Sequence, residues 1–82
     1  MSKMKKLSEL LPDEKGIVLS VNSRDEIRRR LLDMGLIPGT QVACAFKSPW
    51  GDPTAYLIRG ALVALRHDDA DEIFVTEKYG GV

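Results

Sequence analysis

The chain has 82 residues, about half of a typical ~150-residue domain, so we expect one domain over residues 1–82 with its core within about residues 7–76. Hydrophobic residues make up 44% of the chain and charged residues 29%, a composition typical of a globular protein. The 12 Lys and Arg balance 12 Asp and Glu, so the chain lacks the general positive field of a nucleic-acid-binding protein. We therefore expect no nucleic acid partner.

The single cysteine, Cys44, cannot form an internal disulfide, which favours a reducing cytoplasm. The longest apolar runs, around Cys44 and over Ala61–Leu65, fall far short of the ~20 residues that a membrane span requires. The basic start of the chain is not followed by the apolar stretch of a signal peptide, and we expect it to fray. The sequence therefore predicts a cytoplasmic protein without direct membrane insertion.

The first predicted elements are a helical turn and a strand. The leucines of Leu7–Leu11 share one face of a turn that Pro12 ends, and we expect this turn to cover the core. The β-branched, apolar run Ile17–Val21 predicts a strand. Its side chains alternate between two faces, and the face expected to point inward holds Ile17, Leu19 and Val21.

An amphipathic helix is expected next. Ser23 and Glu26 have the spacing of a capping box, in which each side chain accepts a hydrogen bond from the other residue's backbone N–H. Gly35 suits the left-handed position just after a helix, where Leu36 can close back on the helix as in a Schellman motif. The apolar stripe of this helix consists of Ile27, Leu31, Leu32 and Met34.

The second half of the chain predicts a series of short strands. Residues 37–40 have type II turn chemistry, and Ser48–Pro53 is a loop because of its prolines and glycine. The strand between them, Gln41–Lys47, should point Val42, Cys44 and Phe46 inward. The remaining elements are strands at Thr54–Arg59, Ala61–Leu65 and Glu72–Thr76, with a helical turn at Arg66–Asp71. Five short strands and one inserted helix predict a mainly β fold, a small barrel that closes its own edges.

Three segments carry a resemblance to a known family: Arg30–Gly39, Ser48–Pro53 and Gly60–Arg66. In this order and spacing they resemble the bacterial ferrous iron transport protein A (FeoA) family, over a region from about Leu7 to Val75. The resemblance implies an SH3-like small barrel. Together with the predicted elements, this gives a five-stranded barrel with an inserted amphipathic helix and a short N-terminal helical turn. It also implies a cytoplasmic accessory, without known catalysis, of the membrane iron permease FeoB, which carries its own GTPase domain.

Metal binding and catalysis find little support in the residues. Cys44 is expected to face inward as a small hydrophobe, and His67, Asp68 and Asp69 are consecutive, so their side chains should splay around a turn instead of converging. Weak metal binding at His67 and the neighbouring carboxylates is left open. No nucleophile elbow or phosphate-binding loop is present in the sequence. We expect no enzyme, no cofactor and no specific metal site.

Five residues are candidates for contact with a partner protein: Trp50, Pro49, Asp52, Arg28 and Arg29. A tryptophan in a Pro/Gly turn is hard to bury completely, and an exposed tryptophan is a common anchor at protein interfaces. The alternative is that Trp50 only covers one end of the barrel. The arginines offer charge to a partner or an arginine finger to a GTPase, and the alternative is that they only complement the helix dipole.

The predicted function is therefore that of a cytoplasmic accessory of ferrous iron uptake. We expect it to bind a FeoB-type permease, at the GTPase domain or a membrane-proximal part, and to modulate the permease's assembly or transport. The alternative is a free-standing SH3-like regulatory module related to the C-terminal domain of iron-dependent repressors. A weak homo-oligomer is left open.

Overall fold

The computed structural model describes residues 4–77. The elements in chain order are β1 (Met4–Lys6), a 3₁₀ turn (Leu7–Glu9), β2 (Lys15–Val21), α1 (Asp25–Asp33), β3 (Gln41–Lys47), β4 (Thr54–Ile58), β5 (Ala61–Leu65), α2 (His67–Ala70) and β6 (Ile73–Glu77). The mainly β class is confirmed, and the five expected strands, the helix and the helical turn before β6 form close to their predicted positions.

The strands form a six-stranded antiparallel sheet in the order β1-β6-β2-β3-β4-β5. The prediction that the barrel closes its own edges is wrong for residues 4–77, because β1 pairs with β6 and not with β5. Within this part of the chain, β1 and β5 are edge strands with one hydrogen-bonded neighbour each. The sheet therefore surrounds the core but keeps two edges.

Strand β1 has no signal in the sequence pattern, which predicts a frayed start. Met4–Lys6 instead pairs with β6, with Met4 opposite Thr76 and Lys6 opposite Phe74. Three residues are too few to show a periodicity in the sequence. The strand forms because its backbone can hydrogen-bond to β6. The expected loose tail at residues 79–82 lies outside the described residues, as do residues 1–3.

The turn after β1 covers the core, as predicted, but with two of its three leucines. Leu7 and Leu10 are fully buried, whereas Leu11 is exposed. The turn is a 3₁₀ turn, in which residues three apart lie above one another, so Leu11 lies beyond the inward face. The phenol of Tyr56 on β4 donates a hydrogen bond to the Leu7 carbonyl at 3.3 Å, which fixes the turn against the far side of the core.

The inward face of β2 differs from the predicted one because the strand contains a β-bulge. Val18 pairs with Val75 and Ser20 with Phe74, so Leu19 is an extra residue without a partner on β6. Val18 and Val21 are buried, while Leu19 points outward and is 41% exposed. The expected inward face is therefore wrong for Leu19 and for Ile17, which is only half-buried, and correct for Val21.

Helix α1 forms with the predicted apolar stripe: Leu31 is buried and Ile27, Leu32 and Met34 pack against the core. Its predicted capping box is wrong. The helix begins at Asp25 with Arg24 as N-cap, which places Glu26 second in the helix and not third as the box requires. Accordingly, the Ser23 hydroxyl is buried without a hydrogen-bond partner among residues 4–77.

The end of α1 matches the sequence prediction closely. Leu36 N–H donates to the Leu31 carbonyl at 3.1 Å and Gly35 N–H donates to the Leu32 carbonyl at 3.0 Å, which is the Schellman pattern. Gly35 has a φ of 107°, in the region that favours glycine. The turn that follows is closed by Thr40 N–H donating to the Ile37 carbonyl at 2.9 Å.

A second β-bulge alters β3. Cys44 pairs with Tyr56 and Phe46 with Ala55, so Ala45 is the extra residue. Val42 and Cys44 point inward as predicted, but Phe46 is turned outward and is 56% exposed, contrary to the prediction. Within residues 4–77, the core cluster consists of Leu7, Leu10, Val18, Val21, Leu31, Leu36, Val42, Cys44, Tyr56, Ile58, Leu65, Ala70, Ile73 and Val75.

Candidate docking surface

The loop between β3 and β4 holds a defined shape and exposes its tryptophan. Gly51 N–H donates to the Ser48 carbonyl at 2.8 Å, and Ser48 N–H donates to the Pro53 carbonyl at 3.1 Å across the base of the loop. Trp50 is 89% exposed at the tip, and Pro49 beside it is also exposed. The expectation that Trp50 escapes burial is confirmed, and its exposure does not fit the alternative that it covers one end of the barrel.

Asp52 has an internal role that the sequence did not indicate. Its Oδ1 accepts a hydrogen bond at 2.9 Å from the backbone N–H of His67, the first residue of α2. The first N–H groups of a helix have no partner within the helix, so this carboxylate satisfies one of them. Asp52 thereby connects the Trp50 loop to α2 and restricts the loop's movement.

Helix α2 is connected in turn to the N-terminal 3₁₀ turn. Asp71 Oδ1 accepts a hydrogen bond from the Ser8 hydroxyl, and His67 Nε2 lies 3.5 Å from the same oxygen. The Ser8 hydrogen bond lowers the pKa of Asp71, and the nearby His67 acts in the same direction. Hydrogen bonds therefore connect the loop to α2, and α2 to the N-terminal turn.

The three consecutive arginines of α1 have different surroundings. Arg28 is exposed, yet its Nε donates to the Val21 carbonyl at 3.2 Å, which orients its side chain along the end of β2. Arg30 Nη2 lies 3.9 Å from the Asp69 carboxylate. Arg29 is exposed and is the arginine that offers charge most directly to a partner.

The acidic turn does not assemble into a metal site. Asp69 lies beside Arg30 while Asp71 contacts Ser8 and His67, so these carboxylates point to different neighbours. Among residues 4–77 there is no group of three or more His, Cys, Asp or Glu side chains placed to hold a metal ion. Cys44 is buried in the core, and this burial raises the pKa of its thiol.

The outside of the sheet carries an apolar surface that was not predicted from the sequence. Two rows of directly opposed residues cross β3, β4 and β5: Ala43, Leu57 and Leu62 form one, and Phe46, Ala55 and Ala64 the other. We call these six residues the outer apolar face. Phe46, Leu57 and Leu62 are its exposed large side chains, whereas Ala55 is buried. The alternation in β4 and β5 could have indicated Leu57 and Leu62, but the bulge that adds Phe46 has no sequence signal.

These features define the class of protein: a small SH3-like domain with an inserted amphipathic helix and a supported, exposed aromatic loop. The FeoA domain family model matches residues 5–77, so the chain belongs to the FeoA family. The solved members of the family include a protein described as a prokaryotic SH3 domain protein, and the family is not a known enzyme family.

One curated relative joins two proteins of this system in a single chain. The Fe(2+) transport protein A/Fe(2+) transporter FeoB fusion protein of Porphyromonas gingivalis is 34% identical over 70 residues. The match covers 85% of this chain but 8% of the fusion protein. The chain therefore corresponds to a small part of that relative.

Solved structures of FeoA proteins have the same fold. The solution structure of FeoA from Chlorobium tepidum is 35% identical with a TM-score of 0.87, and the match covers 95% of this chain and 74% of that one. FeoA from Stenotrophomonas maltophilia was solved in complex with zinc and is described as a prokaryotic SH3 domain protein. It is 32% identical with a TM-score of 0.77, and the match covers 87% of this chain and 88% of that one.

The SH3-like fold is also shared with a repressor. A manganese-dependent transcriptional repressor has a TM-score of 0.82 but 16% identity, covering 95% of this chain and 44% of the repressor chain. This likeness shows the fold alone. Among residues 4–77, no helix has the length and apolar character needed to cross a membrane.

Proposed function

We propose that this domain acts on the cytoplasmic side of the membrane as an accessory of ferrous iron uptake. It binds a FeoB-type permease and modulates the permease's assembly or transport without catalysing a reaction itself. The observation that carries the proposal is the exposed Trp50 on a hydrogen-bonded loop. The function is one of protein binding, with the loop as anchor.

The choice of partner is supported by the fusion relative. In the Porphyromonas gingivalis protein, a region similar to this chain belongs to one polypeptide with the transporter FeoB. Covalent connection holds two domains at a high effective concentration for each other, which favours contact between them. A FeoB-type permease is therefore the first partner to test.

The loop geometry supports docking because its shape is set before binding. Backbone hydrogen bonds close the loop at Ser48, and Asp52 ties it to α2, so little conformational entropy remains to be lost on binding. Trp50 offers a large apolar area with few rotatable bonds. Residues of this kind carry a disproportionate share of binding energy at protein interfaces.

The arginines of α1 have a secondary role in this proposal. Arg29 is exposed, and Arg28 is oriented by its hydrogen bond to Val21. Exposed cations at the rim of an interface mainly accelerate association and make it dependent on salt. We expect them to guide the encounter, while Trp50 determines how long the complex lasts.

The test is a titration of the full chain, labelled with fluorotryptophan, against a purified FeoB-type permease in nanodiscs with and without nucleotide. Trp50 is the single tryptophan of the chain, so the fluorine NMR signal reports this side chain alone. Trp50→Ala, followed by calorimetry, should weaken binding by ~1–3 kcal/mol, or about 5- to 150-fold in Kd. The Arg29→Ala variant should lower the association rate, most strongly at low salt.

A matched control is available at the opposite end of β3. Ile37 is also an exposed apolar residue on a turn, and Ile37→Ala should leave the affinity unchanged. Wild-type affinity of a folded Trp50→Ala protein would refute the loop as the anchor. An arginine acting as a GTPase finger would give a different result: Arg29→Ala would keep its affinity but abolish a stimulation of GTP hydrolysis by orders of magnitude.

A further inference from the structure

We propose that β5 is a self-association edge, along which two copies of this chain pair in antiparallel fashion about Val63. This surface is separate from the Trp50 loop, and the proposal does not depend on binding to a permease. It rests on four features of β5: its position, its composition, the direction of its backbone groups and its symmetry.

The first features are position and composition. Within residues 4–77, β4 is the one strand hydrogen-bonded to β5. All five residues of β5, Ala61–Leu65, are apolar. Edge strands are usually protected against pairing by lysine, proline or a bulge, and the other edge, β1, contains Lys5 and Lys6. β5 has none of these protections.

The turn before β5 determines which backbone groups point away from β4. Arg59 and Gly60 both have positive φ, 52° and 85°, as in a two-residue type I′ turn. In such a turn the N–H after the turn, that of Ala61, bonds to the carbonyl before it, that of Ile58. Ala61, Val63 and Leu65 therefore direct their backbone groups to β4, and by alternation Leu62 and Ala64 direct theirs outward.

The outward groups suit a two-fold pair centred on Val63. In that register, Leu62 of one copy lies opposite Ala64 of the other, and each such pair exchanges two N–H···O=C hydrogen bonds. The symmetry gives two identical pairs and therefore four backbone hydrogen bonds. Each leucine side chain meets an alanine, so the larger side chain has space on both sides of the axis.

The same register joins the outer apolar faces of the two copies. In the pair, the row of one copy that ends at Leu62 lies next to the row of the second copy that ends at Ala64. By symmetry, the row of the first copy that ends at Ala64 lies next to the row of the second copy that ends at Leu62. Leu62 is 60% exposed in the single chain, so pairing removes apolar surface from water at the point of contact. The sequence of β5 thus complements itself both in backbone hydrogen bonds and in side-chain size.

The expected pair is weak. One five-residue edge buries less than the ~1,200 Å² typical of stable interfaces, so we expect a weak pair, with a dissociation constant on the order of 100 μM. Sedimentation equilibrium of the full chain from about 10 μM to about 1 mM should therefore follow a monomer–dimer equilibrium. Over the same range, hydrogen exchange at the Leu62 and Ala64 amides should slow with concentration, while other edge amides keep their rates.

Two substitutions test the edge by different means. Leu62→Lys places a charge on an exposed side chain and should raise the dimer dissociation constant at least tenfold. Ala64→Pro removes an outward N–H that β4 does not use, so the sheet should persist while pairing is lost. The matched control is Leu19→Lys, which adds the same charge to an exposed leucine on the interior strand β2 and should leave association unchanged.

Three results would overturn the proposal. One is a chain that remains monomeric up to about 1 mM. Another is association that Leu62→Lys leaves intact, or that Trp50→Ala abolishes, because contact would then occur elsewhere. The third is protection of the Leu62 and Ala64 amides only when a FeoB-type permease is added, which would identify the occupant of the edge as a strand of the permease. Hydrogen exchange of the wild-type chain still tests pairing at the Leu62 and Ala64 amides if Ala64→Pro does not fold.

Discussion

The two leucines at the end of the N-terminal 3₁₀ turn offer a matched test of the fold. Leu10 is fully buried and Leu11 is 58% exposed, although the residues are neighbours and the sequence pattern placed both inward. Leu10→Ala deletes three buried carbons, worth roughly 2.4 kcal/mol at about 0.8 kcal/mol per carbon, and the cavity left behind raises the loss to about 3–4 kcal/mol. Leu11→Ala deletes the same atoms from a mostly hydrated side chain and should cost about 1 kcal/mol or less.

Guanidinium denaturation followed by far-ultraviolet circular dichroism measures both losses. Fluorescence is a poor probe here, because the single tryptophan, Trp50, is already exposed in the folded protein. A domain of 82 residues is expected to have a free energy of unfolding of about 4–12 kcal/mol, so the Leu10 variant should retain a measurable transition over most of this range. Leu10→Met, which conserves volume, should recover most of the loss.

Two outcomes would refute this reasoning. Equal losses of 2 kcal/mol or more at both positions would mean that the turn places both leucines inward, as an α-helical turn would. Equally small losses would mean that the turn does not cover the core, and the hydrogen bond from Tyr56 to Leu7 would then have no structural importance.

Three further predictions concern α1 and the buried tyrosine. Ser23→Ala should change the free energy of unfolding by less than ~0.5 kcal/mol, since Ser23 makes no capping hydrogen bond. A loss of about 1 kcal/mol or more in a denaturation experiment would show that Ser23 does cap the helix. Gly35→Ala should cost ~1–3 kcal/mol because of its positive φ, and an unchanged melting temperature would contradict the Schellman geometry. Burial raises the pKa of Tyr56 to about 12, above the ~10 of an unfolded chain, so the free energy of unfolding should hold up to about pH 10 and fall as the pH rises towards 12. Phenolate absorbance in a Tyr79→Phe background should show this late titration, and a step near pH 10 in the folded protein would contradict the burial.

Local chemistry made much of the fold predictable from sequence. The end of α1 is an example: Gly35 alone permits the required φ, and Leu36 supplies the apolar contact, so both the stop and the hydrogen-bond pattern follow from neighbouring residues. The loop at Ser48–Pro53 was predictable for the same reason, because prolines and a glycine exclude helix and ladder. The exposure of Trp50 followed from its place in that loop.

The candidate site was only partly predictable. Trp50 and Pro49 are exposed at the loop tip as expected, but Asp52 supports α2 through a residue 15 positions away in sequence, and no local pattern indicates such a contact. The sequence treated Arg28 and Arg29 as equivalent, whereas only the position of the Val21 carbonyl distinguishes them.

The strands show where the sequence ceases to determine the structure. Their existence follows from short apolar runs between turn signals, in which side chains alternate between the two faces of the strand. Which face is buried is decided by pairing, because one extra residue in a bulge reverses the alternation beyond it. Leu19 and Phe46 were therefore assigned to the wrong face, and β1, too short to have a pattern, was missed. The sequence by itself determined the turns, the helix end and the family. Only the tertiary structure decided the register of the strands, the two edges of the sheet within residues 4–77 and the outer apolar face of β3, β4 and β5. These features depend on contacts between residues far apart in the chain.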